Sequence, residues 1–159
     1  MRMTLQEVKD EFKQSEGDPQ VRARLRQIRT ERARQRMMQA VPTADVVVTN
    51  PTHFAVAIKY APDENDVPII VALGKGPMAL RIMEQAEMNS VSVVRSPLLA
   101  RALFYTGAIG TAISEQLYSA VAAVLAYVYQ LERGVDAVLQ EPEIPSDFVF
   151  DEFGKRLEE

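Results

Sequence analysis

Residues 45–60 read DVVVTNPTHFAVAIKY. The first part of this stretch is a β-branched run and the last part is mostly apolar, which is the composition of buried strands. Asn50-Pro51-Thr52 separates the two runs, and Asn-Pro is a turn signal. We therefore predict two consecutive strands, 45–49 and 53–60, joined by a tight turn.

The apolar patterning predicts further elements on both sides of this pair. Strands are predicted at 69–73 and 91–95, and helices at 77–89, 97–107 and 114–132. The strand–helix–strand sequence between residues 69 and 95 implies a parallel pair with a right-handed crossover. The predicted fold class is α/β: a small sandwich with a central four-stranded mixed sheet surrounded by helices and preceded by an N-terminal linker helix.

The composition bounds the chemistry that the chain can perform. Of 159 residues, 47% are apolar and 25% are charged, which is ordinary for a globular domain. The absence of Cys excludes disulfides, thiolate catalysis and Cys-ligated metals, and one histidine, His53, cannot supply a His-rich zinc site alone. We expect no metal and no cofactor.

The sequence also contains no pattern typical of membrane insertion. The longest apolar run, residues 120–129, is far shorter than the ~20 residues that cross a bilayer. No apolar segment of a signal peptide follows the N-terminus. The chain as given is therefore expected to be soluble.

Charge divides the chain into three regions. Residues 1–40 carry ten basic and six acidic residues, and seven arginines fall between residues 21 and 36. The last nineteen residues hold seven acids and two bases. We predict a helical basic linker at 1–40, a globular α/β domain at 41–140 and an acidic, Pro-containing, disordered tail at 141–159.

The beginnings of the two linker helices are predicted from capping signals. Thr4 followed by Glu7 fits a capping box, which predicts a first helix to about residue 14. Asp18 followed by Pro19 predicts the start of a second helix, which runs to about residue 38.

Asn50-Pro51-Thr52-His53 is the stretch with a specific chemical capability. Pro51 has no backbone N–H, which closes the usual route of asparagine degradation. The Asn50 side-chain nitrogen can instead attack its own main-chain carbonyl, form a cyclic imide and expel the Pro51 nitrogen. An amide nitrogen is a weak nucleophile, so this attack needs favourable geometry and a proton acceptor. His53 can accept or relay the proton, and the Thr52 hydroxyl can orient either group.

The structural alternative for this tetrapeptide is simple. Asn-Pro is a common turn dipeptide, and a lone histidine at the start of a strand is more often structural than catalytic. The dipeptide by itself therefore does not establish self-cleavage.

Two other features suggest different functions. Gly74-Lys75-Gly76-Pro77 joins a strand to a helix N-terminus, where phosphate can bind, but it lacks the full P-loop spacing. A phosphate- or nucleotide-binding module is the alternative function, and a plain turn is the favoured interpretation. The arginine-rich helix could contact nucleic acid or anionic lipid, but no aromatic residue lies between Phe12 and Phe54 to stack on bases. We expect no nucleic-acid partner.

Residues 50–60, NPTHFAVAIKY, resemble the hallmark of the FlhB/YscU family, the switch proteins of flagellar and injectisome type III export. Residues 97–103 (PLLARAL) look like the family's Pro-Leu-Ala-Arg-x-Leu segment with one extra Leu, and residues 118–127 (YSAVAAVLAY) look like its closing helix. Residues 3–38, with EGDP at 16–19, are similar to the linker of the flagellar branch. One departure is Ala72-Leu73-Gly74, where the family often has Ala-Lys-Gly.

The resemblance implies a site and a reaction. Family members cleave themselves between the residues that match Asn50 and Pro51, so Asn50, Pro51, Thr52 and His53 are the implied catalytic residues. The cleavage is a single-turnover event rather than enzymatic turnover, and the two pieces stay associated.

The resemblance also implies a place in the cell and a set of partners. Members carry four membrane helices before this region, so the chain is expected to be a fragment at the cytoplasmic face of the bacterial inner membrane. Cleavage is linked to switching export from rod and hook subunits to filament-type subunits. The implied partners are these export substrates, the hook-length ruler protein, the export-gate membrane proteins and the export ATPase complex.

Overall fold

The computed structural model describes residues 4–51, 53–61 and 66–157, with the side chains of these ranges apart from those of residues 12–16. The chain divides into two compact units, Met1–Arg36 and Met37–Glu159. The division lies four residues before the predicted linker boundary, because Met37 is buried in the second unit.

Nine α-helices and β-strands occur in the described part, as predicted, with bounds that differ from the predicted ones by a few residues. In chain order they are α1 (Leu5–Gly17), α2 (Pro19–Ala40), β1 (Val46–Asn50), β2 (Phe54–Lys59), β3 (Ile69–Lys75), α3 (Pro77–Met88), β4 (Ser92–Arg95), α4 (Pro97–Thr106) and α5 (Tyr118–Glu132). Within these ranges no helix combines the length and the apolar content of a membrane span.

The capping predictions for the first two helices are confirmed. Thr4 Oγ1 accepts a hydrogen bond from the Glu7 backbone N–H at 3.1 Å, and the Glu7 carboxylate accepts one from the Thr4 N–H at 3.3 Å. Asp18 Oδ1 accepts from the N–H of Gln20, the second residue of α2, at 2.9 Å. These bonds satisfy backbone donors that a helix start leaves unpaired.

The predicted four-stranded mixed sheet is confirmed, in the order β3-β2-β1-β4. β2 is antiparallel to both β1 and β3, and β4 is parallel to β1. The predicted pairing of the third and fourth strands is wrong: they lie at opposite edges, and α3 connects them across the two central strands. The cause is that β1 and β2, joined by a tight turn, pair with each other and occupy the centre of the sheet.

Helices cover both faces of the sheet. Side chains of the central strands are therefore buried whichever face they point to. Val46 and Val48 pack towards α4 and α5, whereas Val47 packs towards α3 and the last turn of α2. The same alternation continues in β2. A β-bulge lies between β2 and β3, where Ala57 pairs with Ala72 but Ile58 pairs with Ile70.

The C-terminal segment differs from the prediction of a disordered tail. Residues 141–157 pack on the α4 side of the domain, and Phe150 is buried with 6% of its surface exposed. Ser96, just before α4, makes no side-chain cap and donates its hydroxyl to the Glu141 carboxylate at 3.2 Å. The acidic and proline-rich composition suggested a solvated chain, but a few apolar residues among the acids are sufficient to dock it.

We expect Gly74→Ala to destabilise the second unit. A Cβ at position 74 would lie 2.6 Å from Met78 Cγ and 3.2 Å from Ile82 Cδ1, between β3 and the buried face of α3. Overpacking of this kind costs about 1–3 kcal/mol. Denaturant unfolding would measure the loss. Gly17→Ala is the matched control, because a Cβ there meets nothing within 4 Å; an equal effect of both changes would contradict the packing argument.

Candidate functional site

The hairpin between β1 and β2 brings the predicted site residues together. Asn50 and Phe54 are the last pair of the antiparallel register. The backbone N–H of His53 donates to the Asn50 carbonyl oxygen at 2.7 Å and closes the turn. Pro51 is exposed at its tip. Thr52 lies outside the described residues.

Backbone hydrogen bonds hold the hairpin from two sides. The N–H of Ser96, just before α4, donates to the carbonyl of Thr49 at 2.9 Å, and the N–H of Gly76, just before α3, donates to the carbonyl of His53 at 2.9 Å. Asn50 is 9% exposed between these anchors. The Asn50–Pro51 peptide bond therefore begins on a buried, well-anchored residue and ends on an exposed one.

The turn geometry has a chemical consequence for the Asn50 carbonyl. A hydrogen-bond donor at 2.7 Å from a carbonyl oxygen withdraws electron density, which makes the carbonyl carbon a better electrophile. The same donor would stabilise negative charge that develops on this oxygen in a tetrahedral intermediate. The donor is a backbone group, so it is already in position before any reaction.

The imidazole of His53 lies at the edge of an open cavity of about 380 Å³. Its Nε2 is 3.9 Å from Glu152 Oε2, and both side chains are about half exposed. The other residues around the cavity come from β2, from the β3–α3 turn and from the C-terminal segment: Phe54, Lys75, Gly76, Pro77 and Phe153. Glu152 was not among the predicted site residues, because no local sequence pattern connects it with the hairpin.

Residues 149–157 form a small closed turn that we call the C-terminal clasp. The Leu157 N–H donates to the Val149 carbonyl at 2.9 Å, and Phe150 bridges to Arg156. Inside the turn, Asp151 Oδ1 accepts from two backbone N–H groups, those of residues 153 and 155. The sequence signals for this turn are Asp151, which accepts from backbone N–H groups of its own turn, and Gly154, three residues later.

α4 holds the clasp against the hairpin. Arg101 Nε donates to the Phe150 carbonyl and the Tyr105 hydroxyl donates to the Glu152 carbonyl, both at 2.7 Å. The Tyr105 ring lies 5.5 Å from the ring of Phe54 and 5.5 Å from that of Phe150. One aromatic cluster therefore joins the first residue of β2 to the clasp.

The Tyr105 hydroxyl remains a donor over a wide pH range. Burial raises the pKa of this hydroxyl above its ordinary value, and the negative charge of Asp151 raises it further. A raised pKa favours the neutral form in the folded protein, so the bond to Glu152 is present at neutral pH and is lost only as the solution becomes strongly alkaline.

The turn at Gly74-Lys75-Gly76-Pro77 offers little to a phosphate. The Gly76 N–H is already bonded to His53, and Pro77 has no N–H to donate. Gly74 is required by the packing of α3 rather than by the approach of a ligand. Across the described ranges there is also no group of three His, Asp or Glu side chains placed to hold a metal ion.

This α/β domain with a hairpin-borne Asn-Pro bond corresponds to a known class of bacterial export protein. The model of the FlhB HrpN YscU SpaS family matches residues 1–128. The chain is 50% identical over 146 residues to flagellar biosynthetic protein FlhB of Escherichia coli (strain K12), which covers 92% of this chain and 38% of that protein. The corresponding protein of Bacillus subtilis (strain 168) is 44% identical over 135 residues, 85% of this chain and 38% of its own length.

Solved structures show the same relationship. The crystal structure of the cytoplasmic domain of FlhB from Shewanella putrefaciens superposes with a TM-score of 0.69 at 37% identity, covering 74% of this chain and 95% of that domain. The EscU C-terminal domain with an Asn-to-Asp mutation superposes with a TM-score of 0.56 at 28% identity, covering 58% of this chain and 98% of that domain.

The chain therefore belongs to the FlhB HrpN YscU SpaS family, and it is related to proteins of flagellar biosynthesis and protein export. It spans less than two fifths of the length of these FlhB relatives.

We expect Gly154→Ala to release the clasp without unfolding the sheet. Gly154 has φ +83°, and a Cβ there would lie 2.7 Å from Cε1 of Tyr105. A non-glycine residue in this conformation costs on the order of 1–3 kcal/mol. The Leu157 amide should then exchange with solvent about tenfold faster or more, while amides of β2 keep their protection.

Gly134→Ala is the matched control for this change. Gly134 also has a positive φ, +76°, but a Cβ there meets nothing within 4 Å. Unchanged Leu157 exchange in the Gly154 variant would show that Tyr105 does not hold the clasp.

Proposed function

We propose that the chain cleaves itself once between Asn50 and Pro51, and that this cleavage controls which class of subunit the export apparatus accepts. The proposal rests on one observation above all: the His53 N–H is hydrogen-bonded at 2.7 Å to the carbonyl of the bond to be cut. Membership of the export family supports the same function.

The reaction begins with attack of the Asn50 side-chain nitrogen on the Asn50 main-chain carbonyl carbon. A C–N bond forms, and the side-chain nitrogen gives up a proton to the imidazole of His53. The tetrahedral intermediate then collapses, the bond to the Pro51 nitrogen breaks, and that nitrogen takes a proton and leaves as an amine. Asn50 is left as a cyclic imide, which water later opens.

Each of the four residues has a part in this scheme. Asn50 is the nucleophile and the cleavage site, and Pro51 supplies the leaving nitrogen. His53 contributes its backbone N–H to the developing oxyanion and its ring as the proton acceptor. The Thr52 hydroxyl orients the reacting amide. The exposure of Pro51 favours the reaction, because the new N-terminus can move directly into water.

The two pieces are expected to stay together after cleavage. The cut lies at the end of β1, whose five residues are all buried and pair with β2 on one side and β4 on the other. Burial of each valine side chain in this strand contributes about 1.5–3 kcal/mol. Cleavage therefore frees the loop ends without removing β1 from the sheet.

We further propose that the domain works at the cytoplasmic face of the bacterial inner membrane. In this scheme the basic helical segment 1–40 acts as the linker to the membrane part of the whole protein. Arginines near anionic headgroups are favourable there. The partners are rod- and hook-type subunits, the ruler protein that measures the hook, the export-gate membrane proteins and the export ATPase complex.

The first test is the mass of the purified chain under denaturing conditions. The wild-type chain should give two species of about 6 and 12 kDa in place of 17.8 kDa. Asn50→Ala should give one uncut species, because no side-chain amide remains to attack the carbonyl.

Asn89→Ala is the matched control, since it removes the same group from an exposed position at the end of α3. It should be cut like the wild type. A wild-type chain that remains a single species over days at neutral pH would contradict the proposed cleavage.

A further inference from the structure

The proposed proton acceptor has a carboxylate beside it that comes from the far end of the chain. Glu152 Oε2 lies 3.9 Å from His53 Nε2, within ion-pair distance. His53 is the single histidine of the protein, and the clasp that carries Glu152 packs beside the cleavage hairpin. This contact is not local in sequence and is absent from the site predicted from the tetrapeptide.

We propose that Glu152 is a positioning residue for the self-cleavage, an inference that rests on the proposed function. Its negative carboxylate, 3.9 Å from Nε2, favours the imidazole form that carries its proton on Nε2 and thereby leaves Nδ1 as the unprotonated nitrogen. That nitrogen accepts the proton that the Asn50 side chain releases. Orientation of a base by a third group is a general device of nucleophilic catalysis.

The clasp supplies a structural reason for the position of Glu152. The backbone carbonyl of Glu152 itself accepts the hydrogen bond of the Tyr105 hydroxyl. On either side, Phe150 is buried and bonded through its carbonyl to Arg101, and Gly154 lies against the Tyr105 ring. The backbone on both sides of Glu152 is thus attached to α4, while its side chain reaches past the cavity to His53.

The partly exposed setting limits the size of the effect. Ion pairs in water-accessible positions are weak because solvent and salt screen the charges. Loss of the carboxylate should therefore slow cleavage by about two- to fivefold rather than abolish it.

The rate of cleavage is the first readout. The chain is synthesised in a cell-free system, translation is stopped, and the uncut fraction is followed by denaturing mass measurement. Glu152→Gln should slow cleavage by about two- to fivefold, and Glu152→Asp should restore part of the rate. Asp147→Asn is the charge-matched control: it lies in the same segment, is exposed, and should cleave at the wild-type rate.

The second readout is spectroscopic and does not depend on cleavage. In the Asn50→Ala chain, which cannot cut, the ¹⁵N resonances of the single imidazole report which ring nitrogen carries the proton. The share of the Nε2–H form should be larger when Glu152 is present than after Glu152→Gln. Tyr105→Phe keeps the ring packing but removes the bond to the Glu152 carbonyl, so it should produce a smaller change in the same direction.

The outcomes separate the two proposals. A wild-type chain that never cuts would overturn the proposed function itself. A chain that cuts normally, with Glu152→Gln as fast as Asp147→Asn and an unchanged imidazole spectrum, would overturn only the role of Glu152. Slowing by Glu152→Gln without a change of the imidazole spectrum would also overturn it, because the carboxylate would then act by another route.

Discussion

The pairing of β1 with two neighbours is the interaction on which the rest of the domain depends. β1 is antiparallel to β2 and parallel to β4, and every one of its five residues is buried. Its alternate valines supply both cores, one under α3 and one under α4 and α5. No other strand of the described sheet has a neighbour of each orientation, so the mixed topology depends on β1.

This central position also fixes the end of β1 in space. Asn50 cannot move far, because Thr49 is bonded to the start of α4 and His53 to the start of α3. A peptide bond between an anchored residue and an exposed proline experiences a well-defined environment on one side and water on the other. That asymmetry suits the proposed single cleavage, because the exposed proline can move while the sheet keeps its hydrogen bonds.

A second set of contacts, at the periphery of the domain, reaches the same hairpin. Phe54 begins β2, Tyr105 lies on α4 and Phe150 belongs to the clasp. The Tyr105 ring contacts the rings of both Phe54 and Phe150. These aromatic contacts are individually worth about 0.5–1.5 kcal/mol beyond their buried area. The clasp is thus attached through α4 to the first residue of β2.

Much of the fold was predictable because its signals are local. β-branched runs predicted the strands, and Thr4, Asp18 and Pro77 predicted helix starts, because each of these effects acts within a few residues. The choice of β1 as the partner of β4 was not predictable in this way. Strand order depends on which pairs bury most apolar surface together, and a strand–helix–strand pattern does not reveal the strands inserted between its ends.

In the candidate site, too, the local features were predictable and the contacts between distant segments were not. The sequence by itself determined the Asn50-Pro51 bond, the nearby His53 and the turn between two apolar runs, because these are properties of adjacent residues. Only the tertiary structure decided that the His53 N–H donates to the Asn50 carbonyl and that the Gly76 N–H donates to the His53 carbonyl. It also decided that the Glu152 carboxylate approaches the imidazole of His53. The last two contacts join segments far apart in the chain, and their distances follow from the packing of α3 and α4 against the sheet rather than from any pattern in the residues themselves.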